Sequence, residues 1–70
     1  MKVTYDPETD TISLIFREEA VAESDEIREG IIVDYSRDGM IVSLEALDAS
    51  EHVADPRAIS YELKGRQRVP

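Results

Sequence analysis

An Asp-Gly pair, Asp38-Gly39, flanked on both sides by alternating apolar residues, is the feature that most restricts what this chain can become. Asp-Gly between two such runs is a strong short-range hairpin signal, because the glycine takes the positive φ that closes a tight connection between twisted strands. The spacing predicts a strand over 31–35, a turn over 36–39 and a second strand over 40–47. One face then collects Ile31, Val33, Tyr35, Met40, Val42, Leu44 and Ala46, and the other carries Ile32, Asp34, Ile41, Ser43, Glu45 and Leu47. Side chains alternate across a strand, so a hairpin with one wet face should show one polar set. Neither set here is purely polar.

A second hairpin is written nearer the start. Val3 and Tyr5 alternate on one face, Asp6-Pro7-Glu8-Thr9-Asp10 supplies turn residues, and Ile12, Leu14 and Phe16 resume the alternation. Ile15 is the one large apolar side chain on the other face of that segment. Residues 18–29 are rich in charge and weak in period; Val21 and Ile27 lie six apart, which does not repeat on one helical face, so an irregular edge strand is expected. Asp48 and Ser50 are both suited to cap a helix, and Asp48 with Glu51 has capping-box spacing, but Pro56 stops any helix before two full turns. A single helical turn over 49–54 follows. Ile59, Tyr61 and Leu63 alternate with Ser60, Glu62 and Lys64, predicting a last strand over 58–63 and a frayed tail over 65–70. The fold class expected is β-dominated, α+β at most: a compact antiparallel sheet of two hairpins, a weak edge strand, one helical turn and a C-terminal strand.

At 70 residues the chain makes one domain, 1–70, and a domain of that size buries only about 60% of the surface of its unfolded chain. Without cysteine it has no disulfide or thiolate metal ligand to compensate, which leaves oligomerisation as the available staple. Sixteen acidic residues against eight basic ones give a net charge of -8, which repels nucleic acid and anionic membrane alike. The longest unbroken run of large aliphatics, Ile31-Ile32-Val33, is far below the roughly 18 residues of a membrane span. No targeting segment is visible, so a cytoplasmic protein is expected. Only Lys2 and Lys64 are lysines. Acid excess with scarce lysine suits a halophile's high-salt cytoplasm, where screening removes self-repulsion, and an arginine-rich genome explains the scarcity equally well.

Two stretches resemble a prokaryotic family known as domain of unknown function 2283. The first is Tyr5-Asp6-Pro7-Glu8-Thr9-Asp10 leading into Ile12-Ser13-Leu14. The second runs through Gly30-Ile31-Ile32-Val33-Asp34-Tyr35 and Asp38-Gly39 to Val42-Ser43-Leu44-Glu45-Ala46-Leu47-Asp48-Ala49-Ser50. The resemblance implies a compact β-rich domain. Members encoded beside small toxin-like proteins suggest, by association, an antitoxin or partner-binding role.

Little in the residues points to chemistry. Asp6, Glu8 and Asp10 have the every-second-residue spacing of some calcium loops, but the glycine bend and the distal bidentate glutamate are missing, so these carboxylates are read as turn residues. His52 with Glu51 and Asp55 sketches a metal or hydrolytic site, yet a lone histidine supplies too few ligands, and no elbow glycines surround Ser50. No catalytic residue, metal or cofactor is expected. Asp6, Pro7, Asp10, Asp38, Gly39, Asp48 and Ser50 are assigned to turns and caps. Tyr5, Tyr35 and Tyr61 read as core margin, and Lys64, Arg66 and Arg68 form the one local basic patch. Ile15, Ile32, Ile41 and Leu47, on the face opposite the main core, need a cover. Burying one such side chain is worth about 1.5–3 kcal/mol, so a shared interface involving these residues is expected. The leading reading is a non-enzymatic interaction module that forms a homo-oligomer, most simply a dimer, and can take a basic protein partner. The alternative is an antitoxin-like inhibitor whose carboxylates occupy a basic toxin cleft.

Overall fold

The computed structural model describes residues 1–65. Five strands, β1 (Lys2–Asp6), β2 (Thr11–Ile15), β3 (Glu23–Arg28), β4 (Ile31–Tyr35) and β5 (Ile41–Ala46), form one open sheet in the order β1-β2-β5-β4-β3, and α1 (Ala49–His52) follows. All four pairings are antiparallel. The fold is therefore β-dominated, and both hairpins close at the turns that the sequence marks.

Each turn has an identifiable cause. In the β1–β2 turn the Asp6 carboxylate accepts a hydrogen bond from the Glu8 amide at 2.9 Å, and Asp10 takes the left-handed conformation, φ 55. In the β4–β5 turn the Gly39 amide donates to the Ser36 carbonyl at 2.9 Å, with Gly39 at φ 83. A side chain at Gly39 would meet no atom within 4 Å, so only backbone strain opposes substitution there. Gly39→Val is accordingly expected to lower stability by about 1 kcal/mol or more. Unchanged urea denaturation would contradict that turn geometry.

The two hairpins are joined by pairing of β2 with β5, which sets Ile12 across from Ala46 and Leu14 across from Leu44. The 18–29 connection contributes the edge strand β3, irregular as expected, with a register shift between Glu26 and Arg28. A second shift, between Asp34 and Tyr35, sets Ile41 across from Tyr35.

Two expectations are corrected. Residues 58–63 form no strand: Ile59 is 52%, Tyr61 91% and Leu63 65% exposed, with no ladder partner among the described residues. Alternation reports which side chains could share a face, whereas a strand also needs a neighbour, and the turn of α1 carries the chain off the ladder. The capping box at Asp48 and Glu51 does not form either, because Asp48 is left-handed, φ 51, and makes no side-chain cap. Within the tail expected over 65–70, only Gly65 belongs to the described residues, and Arg66 and Arg68 of the basic patch lie outside them.

Among the described residues no second layer of strands or helices stands on the sheet. Packing between elements is concentrated between hydrogen-bonded neighbour strands, and among the described residues no large side chain is fully buried. The radius of gyration is 14.1 Å, where a globular domain of this length has about 11 Å. The accessible surface is 5971 Å², about 1,500 Å² more than a folded monomer of this size presents.

Candidate interaction surface

The register sorts the side chains into two unlike faces. Val3 and Tyr5 of β1 stand opposite Leu14 and Ile12 of β2, these opposite Leu44 and Ala46 of β5, and these in turn opposite Val33 and Ile31 of β4. This apolar face runs unbroken across four strands. Val33, at 5% exposure, is buried by its larger neighbours, but Leu14, Leu44, Ile12 and Ile31 keep part of their surface in water. The Arg57 guanidinium lies 5.8 Å from the centre of the Tyr5 ring, so the chain after α1 passes this face at its β1 margin.

The opposite face is built around a carboxylate. Asp34, only 4% exposed, accepts hydrogen bonds from the hydroxyls of Ser24 on β3, at 2.5 Å, and Ser43 on β5, at 2.7 Å. Glu45 adds a third partner. Burial pushes the Asp34 carboxyl up, but hydrogen bonds from Glu45, Ser24 and Ser43 outweigh it and hold the group below its ordinary value. Glu45 is raised, first by its hydrogen bond to Asp34, then by burial and by repulsion from the same charge. The two carboxyls thus behave as a pair that keeps one proton more readily than separate acids would.

This polar cluster divides the aliphatics singled out in the sequence. Ile15 stands opposite Ser43 and Ile32 opposite Glu45, so β5 places hydrogen-bonding groups between them. Ile41 faces Tyr35 across the register shift, and Leu47 continues the ladder at the far end, its amide donating to the Gly30 carbonyl at 2.8 Å. The four residues do not make one contiguous patch. The contiguous apolar surface is the other face, which alternation alone assigns to a core.

Asp10 ties the sheet to α1. Its carbonyl accepts from the Ala49 amide at 2.7 Å, and its carboxylate accepts from the Ser50 hydroxyl at 2.6 Å, the Ser50 amide at 3.2 Å and the Tyr5 hydroxyl at 2.7 Å. These bonds, Ser50's first, hold the Asp10 carboxyl below its ordinary range, and the bond to Asp10 raises the Tyr5 phenol. Ser50 is therefore a donor to Asp10, and the carboxylate of a residue forty positions away caps the helix. Ala49, beside it, is 0% exposed.

The residues around His52 do not assemble into a constellation. His52 lines an open groove of about 360 Å³ with Glu26, Glu29, Asp48 and Glu51, while Asp55 accepts a hydrogen bond from the Arg57 amide. The Glu26 carboxylate is engaged by the Gly30 amide at 2.9 Å. Among the described residues no group of three or more His, Cys, Asp or Glu is placed to hold a metal ion, and no helix is long and apolar enough to cross a membrane.

Sequence reasoning passed over the Asp34 cluster. The available signal was Asp34, Ser43 and Glu45 recurring on one face of an otherwise apolar hairpin, but Ser24 joins them only through the β3–β4 register.

No curated protein and no solved structure matches this chain. A family described as "Protein of unknown function (DUF2283)" matches residues 2–50, which span all five strands and the start of α1. With most of its length covered by that match, the chain belongs to the DUF2283 family.

Proposed function

We propose that this domain is a non-enzymatic interaction module that works as a homo-oligomer, most simply a two-fold dimer, associating through its apolar face. The observation that carries the reading is the face itself. Val3, Ile12, Leu14, Ile31 and Leu44 adjoin across one sheet, and among the described residues no helix or second sheet packs over them. A sheet of this kind gains its stability by packing a partner about 10 Å away, and a second copy brings an identical face.

Charge sets the sign of the salt dependence. Two chains at -8 repel, so association should tighten as salt screens them. Sedimentation velocity at rising salt is the test. The expected result is a dimer whose share of the sample grows with salt at micromolar protein, and a monomer under every condition would overturn the reading.

A second reading, an inhibitor of a basic protein, is favoured by the edge strand β3, where Glu23, Asp25 and Glu26 are all exposed. Such a complex responds to salt in the opposite direction, because screening weakens attraction between unlike charges. Salt that tightens the homodimer would release the basic partner.

A further inference from the structure

We infer that residues 58–63 are a strand donated to the outer edge of β1 in a second copy of this chain; the inference rests on the dimer reading above and specifies how the two copies interlock. The segment is built for pairing. Ile59, Tyr61 and Leu63 alternate with polar residues, all are exposed, and no ladder receives them among the described residues. Strand-forming side chains left in water at strand spacing signal a missing neighbour.

The path of the chain says where that neighbour lies. Arg57 is stacked on Tyr5, and Tyr5 projects from the apolar face at the β1 margin. The segment therefore starts on the side where a partner sheet would sit, beside the edge strand. The sheet's two edges also differ in their defences. β3 carries Glu23, Asp25 and Glu26 and is bent by a register shift, features that discourage a further strand. β1 has no charge between Lys2 and Asp6, no proline and no bulge, and no strand pairs with its outer edge among the described residues. Strand addition there would satisfy the free backbone groups of both segments and place alternate side chains of 58–63 against the closed core.

The chain contains no cysteine, which allows a direct test. Full-length chains carrying Thr4→Cys are mixed with chains carrying Ser60→Cys, equilibrated at a concentration where the wild type is dimeric, and treated with a short bis-maleimide. The expected product is a mixed cross-linked dimer. Amides 58–63 should be protected from hydrogen exchange in the dimer, and Tyr61→Pro, which removes one donor, should weaken association about tenfold or more. A wild-type dimer with no mixed cross-link and unprotected 58–63 amides would overturn the strand exchange while leaving the dimer intact. If a chain carrying both Thr4→Cys and Ser60→Cys cross-links only within itself, that would overturn it too, by showing that the segment pairs with its own β1. A monomer throughout would remove the dimer reading and this inference together. A mixed cross-link in a dimer that survives Leu44→Asp would support the exchange and overturn the apolar face as the contact.

Discussion

Asp34→Ala is expected to cost about 3 kcal/mol of folding stability, a large part of what a domain this small possesses. The loss arises from the partners left behind. Ser43 would keep a buried hydroxyl without its acceptor, Ser24 on the edge strand would lose its partner, and Glu45 would lose the hydrogen-bonding group that raises its carboxyl. The neighbouring position gives the opposite sign. The Glu45 carboxyl is raised, so its share of stability is complete below the ordinary glutamate value and is lost as pH rises through the raised one. Asp34 is lowered, so its share is present above the ordinary aspartate value and is lost as pH falls through the depressed one. Glu45→Gln keeps a donor to Asp34 without needing a proton. It should therefore be more stable than wild type by about 1 kcal/mol at neutral pH, with the gap closing in acid. Urea denaturation of the three proteins at mildly acid and neutral pH measures both effects. A gap that does not change with pH would contradict the raised Glu45 carboxyl.

What could be read in advance and what could not divide along sequence separation. The β4–β5 hairpin was legible because Gly39 and the alternation around it are local, and the β1–β2 hairpin because Asp6 folds back on Glu8 two residues away. The pairing of β2 with β5 was not legible, since alternation gives the face of a strand and not its neighbour. The same gap applies at 58–63, where a sound pattern has no ladder partner among the described residues. At Ile41 the limit is different: one residue of register shift between Asp34 and Tyr35 interrupts the two-residue period and sets Ile41 across from Tyr35. The role of Asp10 was hidden by distance. A carboxylate in one turn capping a helix forty residues later leaves no mark in local spacing.

Leu44→Asp is expected to weaken self-association about a hundredfold or more, while Ile32→Asp leaves it nearly unchanged. Leu44 sits at the centre of the apolar face, between Leu14 and Val33, and a partner sheet would cover its remaining exposed surface. In the proposed dimer a charge there would remove apolar contact from both copies and set carboxylates within a dry interface. Because Leu44 is only part-buried in the single chain, the monomer can turn an aspartate toward water, and far-UV circular dichroism would check that the sheet persists. Ile32 stands on the other face, opposite Glu45 and near Asp34. A third carboxylate there strains the acid pair and lowers stability, most strongly above the pH at which Glu45 loses its proton, but it does not touch the apolar face. Sedimentation at high salt separates the two substitutions. If Ile32→Asp dissociates the dimer and Leu44→Asp does not, the contact lies on the face of Ile15 and Ile32, and the carboxylate cluster between them belongs to the interface.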